Sequence, residues 1–500
     1  MASLGIQAAT VLLSFISRTV LIKTMGEQYL GINGLFGNIL NMLSLAELGV
    51  GSTITYFMYQ PMVDQDEEKI RILTGVYAKV YHLIGVLILA AGCCIAPFLG
   101  FFMKEVPDIP HLTFIFLLYV MNMSASYLWA YKSSVINVAQ KNYIVNMIKF
   151  GFTVIQNLIQ ILILVLAKNY IAYYACAILF AVLGNLAVAV KADQMFPYLK
   201  KPAKGGLTEN EKKRIVKDIS AMFSHNIGSF VVTSTDNMII AKFIGIVEVG
   251  LYSNYTMILT AVQTFLNLLF ESLTASVGNL MHSADRERCH DVFRNVFFAT
   301  CWLVGFCSVC LYVLYNPFIT LWLGEKYTFD MYIVFFVVVN FYLLFVRRPV
   351  NMFKQTVGLF WNDRHKPIIE SICNLVISLI LVKYLGICGV FIGTTISMVT
   401  ICLWLEPYIL YKHFFEKSVM EYFRLLLEYI GVTILSVVII QGISALFTKV
   451  TIASFLVQIL LCMIVPNLLF WVIFRKTSEM EYMKENGIRL LNKVTRKKKA

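Results

Sequence analysis
The segment MGEQYLG at residues 25–31 returns as IGIVEVG at 244–250, with Gly26 and Gly31 matched by Gly245 and Gly250, 219 positions later. Each glycine pair follows a long apolar run and makes a tight turn into the next one. A second match lies at nearly the same offset: Asn157-Leu158 before IQILILVL answers Asn374-Leu375 before VISLILVK. Two matches at one offset divide the chain into six-helix halves, 1–190 and 219–411, joined by a basic loop, 191–218. Residues 412–474 add two further helices outside the repeat, and 475–500 form a basic tail. Six is even, so the halves share one orientation and are related by an axis along the membrane normal.

Working outward from these turns, apolar runs fill almost the whole chain. Of 500 residues, 59% are hydrophobic and 14% charged, and the mean hydropathy is +0.73. Water cannot be the solvent for that much apolar surface, so lipid must be. Fourteen spans are expected: 4–22, 31–58, 75–102, 111–138, 143–167, 170–190, 219–243, 249–280, 296–321, 331–359, 368–384, 387–411, 425–447 and 451–474. The fold class is therefore all-α, a polytopic membrane protein of about 14 transmembrane helices, with two lobes plus two C-terminal helices.

About 29 Lys and Arg fall in the even-numbered loops and the tail, while the seven opposite loops hold about one each (Lys23, Lys104, Lys168, Lys242, Lys326, Lys383 and Lys449), which places both termini in the cytoplasm. The net charge of +13 is thus topology and contact with anionic lipid heads. No basic–aromatic array able to stack bases is present, so nucleic acid is excluded as a partner. Eleven cysteines are scattered mostly through apolar runs. Cys307 and Cys310 have redox-motif spacing but within a helix merely share a face, so neither a metal nor a redox site is expected. The first span opens a multi-span pattern rather than a signal peptide. It starts abruptly at Met1 without a basic flank, from which the natural start is expected upstream.

Polar residues inside spans are costly, so where they line up matters. At about 100° per residue the first span puts Gln7, Thr10, Ser14, Ser17 and Arg18 on one face. The fourth gives Asn122, Ser126, Ser133, Asn137 and Gln140; the fifth gives Lys149, Thr153, Gln156 and Gln160. The seventh gives His225, Ser229, Thr233 and Asp236; the eighth gives Thr256, Thr260, Gln263, Asn267, Glu271 and Thr274. The tenth gives Asn340, Arg347, Arg348, Asn351, Lys354 and Gln355, with Pro349 placed to kink it.

Ser, Thr and Asn also glue helices together, which accounts for any one stripe. It accounts poorly for Arg18, Lys149, Arg347, Arg348 and Lys354, because a cation in hydrocarbon costs at least roughly 2.5–3.5 kcal/mol. The acidic residues counted against them are Glu47, Asp236, Glu271 and Glu370. A wet cavity with spare positive charge suits a pyrophosphate, which guanidinium grips through paired hydrogen bonds, and walls of amides and hydroxyls suit a sugar chain. Simpler roles stand beside these. Arg18, Lys149 and Lys354 lie within snorkelling reach of a surface. Asp236 either pairs with an arginine or binds a coupling cation. His225 alone reads as a satisfied helix residue.

Three blocks resemble the Wzx-type polysaccharide flippases of the multidrug/oligosaccharidyl-lipid/polysaccharide exporter superfamily: FISRTVLIKTMGEQYLGINGLFGNILNMLSLAELGVGSTI (15–54), SHNIGSFVVTSTDNMIIAKFIGIVEVGLYSNYTMIL (224–259) and RRPVNMFKQTVGLFWNDRHKPIIESICNLVISLILVKYLGICGVFIGT (347–394). The resemblance implies two lobes closing alternately around a cationic cavity and moving undecaprenyl-pyrophosphate-linked glycan across the bacterial cytoplasmic membrane. It implies a transporter rather than an enzyme, with membrane lipids and a polysaccharide polymerase as partners. It implies no cofactor beyond a coupling Na+ or H+. Arg18 matches a position where such flippases place a cavity cation, with Arg347 and Arg348 matching less closely. The last two helices would edge a groove for the polyprenyl tail.

Two rivals remain open. A drug exporter of the same superfamily would favour an acidic cavity. A membrane glycosyltransferase or ligase would need a sugar-nucleotide domain. Asp64-Gln-Asp66 has metal-nucleotide spacing but sits in the acidic loop VDQDEEK, and no phosphate-binding loop of the Walker type is present.

Overall fold
The computed structural model describes residues 2–485 except 48, 202, 204, 284, 360 and 448, and among these not the side chains of 2–4, 6–8, 46, 221, 224–234, 275–276, 279, 282–283 and 361. The basic tail beyond 485 and the side chains of Gln7, His225, Ser229 and Thr233 lie outside what is described.

Every expected span is helical. In order these are α1 Ala2–Met25, α2 in two parts (Glu27–Leu43 and Val50–Val63), α3 Glu67–Phe102, α4 in two parts (Leu112–Ser126 and Ala130–Val138), α5 Asn142–Leu166, α6 Tyr170–Met195 and α7 Glu209–Phe243. They continue as α8 Ile246–Ser283, α9 Arg286–Trp322, α10 in two parts (Met331–Val346 and Arg348–Thr356), α11 Lys366–Leu385, α12 Ile387–Phe415, α13 Met420–Ser444 and α14 Ile452–Phe474. The chain is 87% helix, with no strand among the described residues. Among the described residues ten helices are long and apolar enough to cross a membrane, and the two parts of α4, bent by 41°, make an eleventh. The other three are α1, α2 and α7; α2 is interrupted, and α7 opens with the charged turn ENEKKR.

Helix starts are fixed by side-chain caps: Asp66 accepts from the Lys69 N–H, Asn169 from Ala172, Asp285 from Arg288 and Thr451 from Ser454. Thr208 and Glu211 form a reciprocal capping box at the start of α7.

By packing, the chain divides into two compact units, 1–253 and 254–500. In the first, Val50, Ile54 and Met58 of α2 pack on Leu73, Tyr77 and Ile84 of α3, joined by Tyr127 of α4 and Ile215 of α7. The glycines that carry the repeat meet here. A Cβ on Gly250 would stand 2.9 Å from the Glu27 carbonyl and 3.1 Å from the Gly31 N–H, and one on Gly31 would strike the Ile246 carbonyl. Gly26, at φ +88°, makes the turn that leads into α2.

In the second unit α9 is the buried axis. Phe297, Phe298 and Trp302 stack among Tyr422, Tyr429, Phe470 and Phe474, so α13 and α14 pack directly onto it. The α11–α12 pair is close because Gly389 and Gly393 of α12 lie against Leu381, Val382 and Ser378 of α11. Small residues four apart let helix backbones approach in this way.

Candidate transport site
In the first unit, polar residues from five helices converge. Arg18 is half-buried and donates to the Ser253 hydroxyl in the first turns of α8. Its neighbour Ser17 is buried, and Tyr173 of α6 lies against both. Gln160 is buried and donates to the Tyr173 carbonyl at 3.0 Å, and Gln156 donates to Gln160 at 3.3 Å. Asn122 of α4 faces Tyr174, whose ring stacks on Tyr119 at 3.8 Å between centroids; Tyr119 in turn shares a 2.7 Å hydrogen bond with Tyr170. Thus Arg18, Asn122, Gln156 and Gln160, each expected on the polar face of its own helix, lie around the α6 tyrosines Tyr173 and Tyr174. Lys149, nearer the start of α5, is exposed and forms no ion pair among the described residues, and Asn137 is also exposed. Among the described residues, one buried carboxylate oxygen of Asp236 of α7 has no hydrogen-bond partner and the side chain makes no ion pair.

In the second unit the expectation of unbalanced charge on α10 needs correction. Arg347 is 6% exposed and forms a paired interaction with Glu406 of α12, Nε to Oε2 at 2.9 Å and Nη2 to Oε1 at 2.6 Å. Glu406 is fully buried and also takes Lys366 and the Asn351 amide, the latter at 3.0 Å; Glu370 stands 3.9 Å from Arg347. Lys354, 4% exposed, pairs with Asp363. The physical reason is the cost of an isolated buried charge, which a carboxylate in hydrogen-bond contact offsets. Arg347, Lys354 and Asn351 are therefore tied into an internal ion network that joins α10, α11 and α12. Glu406 was missed as a counter-charge, although it lies inside the span expected at 387–411, where an acidic residue needs a partner.

Asn340 is likewise committed to packing, donating to the Phe391 carbonyl at 3.0 Å and accepting from Thr395 at 2.7 Å. Arg348 differs from its neighbour. It is exposed, its guanidinium lies 5.5 Å from the Phe345 ring centroid, and no carboxylate pairs with it among the described residues. On α8, Gln263 and Asn267 are half-buried and Glu271 is exposed.

No protein-family model matches the sequence, and no curated protein matches it by sequence. Solved structures do match. The inward closed form of the lipid II flippase MurJ superposes with a TM-score of 0.67 over 94% of this chain and 98% of that one, at 15% identity. An inward-facing multidrug resistance MATE family transporter of the MOP superfamily gives 0.60 over 80% of this chain and 94% of that one, also at 15% identity. A Vibrio cholerae MATE transporter gives 0.53 over 83% and 95%, at 12% identity. Identity this low speaks for architecture alone: the chain is a multi-pass membrane protein with the fold shared by the MurJ lipid II flippase and the MATE transporters.

Proposed function
We propose that the protein is a flippase carrying undecaprenyl-pyrophosphate-linked oligosaccharide units from the inner to the outer leaflet of the bacterial cytoplasmic membrane, for capsule, O-antigen or exopolysaccharide synthesis. Rocking of two lobes, 1–190 and 219–411, would present the headgroup alternately to each side while the lipid tail stays in the bilayer. A polysaccharide polymerase would consume the product.

The observation that carries this reading is the split among the expected cations. Arg347 and Lys354 are neutralised internally, whereas Arg348 and Lys149 remain exposed and unpaired among the described residues. Within the first unit, Arg18 in its amide- and phenol-lined surroundings and Lys149 supply what a pyrophosphate and a sugar chain require of a binding surface; Arg348 is an exposed cation of the second unit. The fold shared with a lipid II flippase supports this reading by analogy.

A multidrug exporter is the second reading, favoured by the MATE likeness and by the unpartnered carboxylate oxygen of Asp236, which suits a cationic drug. Deletion of the gene separates the two. Loss of surface glycan with unchanged drug resistance supports the flippase; the reverse pattern supports the exporter and removes the glycan reading. In the complemented strain, Arg348→Ala is expected to lower glycan export at least tenfold with normal protein levels.

A further inference from the structure
A cavity of about 680 Å³ opens at the end of the second unit where α8 turns into α9 and the chain leaves α14. Lysine and arginine placement predicts that this end faces the cytoplasm. Three walls enclose the space. Leu273, Val277 and Leu280 of α8 form an apolar wall, spaced to share one helical face. On α9, Arg288, Asp291 and Asn295 share a second face, with Val292 and Val296 beside them. The helical segment 478–485 closes the third side with Ser478, Glu479 and Tyr482. Arg294 of α9 pins that segment in place: its Nε and Nη2 donate to Glu479 at 2.9 and 2.6 Å, and it stands 3.2 Å from Glu421 of α13. Glu479 is buried, so the recess is held together by an internal ion pair.

The polar face of α9 is left open. The side chains of Arg288 and Asp291 are exposed and make no ion pair among the described residues, and the half-buried Asn295 side chain has no hydrogen-bond partner among them. The four ionised groups on the walls, Arg288, Arg294, Asp291 and Glu479, cancel in charge. A purely anionic ligand therefore meets no positive surplus here, and a purely apolar one would strand polar groups. An amphiphile carrying both charges fits better. Its phosphate meets Arg288, its ammonium meets Asp291 and the Asn295 carbonyl, and its glycerol and upper acyl chains cover Leu273, Val277 and Leu280. Side chains three apart on a helix stand about 5–6 Å from each other at Cβ, and a phosphoethanolamine head holds its two charges a few ångström apart across an ethylene bridge. A primary ammonium brings three N–H donors for a carboxylate and an amide. A trimethylated one brings none and calls for an aromatic cage, which the single lining ring among the described residues, Tyr482, does not make.

We infer that this cavity binds a phospholipid with a primary-ammonium head of the phosphoethanolamine type, drawn from the adjoining leaflet. Bound there, the lipid bridges α8, α9 and the segment 478–485, and stabilises the folded second unit by mass action. The inference does not rest on the transport reading, because the walls and their charges are the same whether the cargo is a glycan or a drug.

The test uses the purified full chain in detergent, with dioleoyl phosphatidylethanolamine, phosphatidylcholine or phosphatidylglycerol added at equal mole fraction. Native mass spectrometry should retain one phosphatidylethanolamine, and the concentration of that lipid that half-saturates the rise in thermal midpoint should lie about tenfold below those of the other two. Asp291→Asn removes the charge that faces the ammonium, and should abolish this preference while leaving phosphatidylcholine binding unchanged. Arg288→Ala removes the phosphate's partner, and should weaken all three lipids about tenfold. Both side chains are exposed and unpaired among the described residues, so the lipid-free midpoints should match the wild type. Arg424→Ala, which removes an exposed arginine of α13 outside the cavity lining, should bind all three lipids as the wild type does. Glycerophosphoethanolamine, the same head without acyl chains, leaves the apolar wall uncovered and should compete at least about tenfold more weakly than the lipid. Equal binding of the three lipids, tighter binding of phosphatidylglycerol, or a phosphatidylethanolamine preference that survives Asp291→Asn overturns the site. Competition by the free head at the strength of the lipid overturns the lipid assignment.

Discussion

Two adjacent arginines on α10 show how far one residue's surroundings decide its part. Arg347 is locked to Glu406, and Arg348 lies open over an aromatic ring. Removing Glu406 leaves Arg347 and Lys366 buried without their shared acceptor, so Glu406→Ala is expected to destabilise the protein by about 3–5 kcal/mol. This would appear as a sharp drop in the thermal midpoint of detergent-solubilised protein. Arg348→Ala loses at most about 0.5–1 kcal/mol of cation–π attraction at an exposed site, so its midpoint should hardly move while export falls. Equal destabilisation by the two variants would remove the distinction between a structural and a functional arginine. At Gly51 a single methyl group would displace the Tyr77 and Tyr81 hydroxyls. Gly51→Ala is therefore expected to cost about 1–3 kcal/mol through overpacking, read as a lowered thermal midpoint.

Among the elements, the α11–α12 pair depends most on small side chains. A methyl on Gly389 would enter the van der Waals shell of the Leu381 carbonyl, and one on Gly393 would meet Ser378. The same contact is bridged by Asn374 donating to Thr394 at 2.9 Å. Gly389→Ala and Gly393→Ala should each cost about 1–3 kcal/mol through overpacking, read as a lowered thermal midpoint. Gly431 of α13, whose Cβ would meet nothing within 4 Å, should accept alanine without loss and serves as the control. Breaks in α2, α4 and α10 mark a different property. The turn at Ser44–Glu47, the 41° bend in α4 and the interruption at Arg347 each place a polar side chain where the backbone departs from a straight helix.

At the scale of the whole molecule, lysine and arginine placement predicts the topology. In a background where native cysteines are replaced, Lys326→Cys should react with a membrane-impermeant thiol reagent on intact cells, and Lys201→Cys only after permeabilisation. Labelling of Lys201→Cys on intact cells would reverse the orientation and with it the direction of transport proposed above.

Fold class, helix number and the repeated turn followed from composition and spacing, because a span's length and apolarity are set by the bilayer and read locally along the chain. Each of the fourteen expected spans is helical, and the glycines that marked the repeat pack against each other at Gly31 and Gly250. Helical periodicity also put Arg18, Asn122, Gln156 and Gln160 each on the polar face of its own helix. What periodicity could not supply is which helix stands opposite a given face. Whether Arg347 is a spare charge or half of an ion pair depends on Glu406, 59 residues away on another helix, and Glu47 accepts hydrogen bonds from Tyr81 and Tyr127, 34 and 80 residues away. Charge balance inside a membrane is a sum over neighbours in space, so only the tertiary structure decided it.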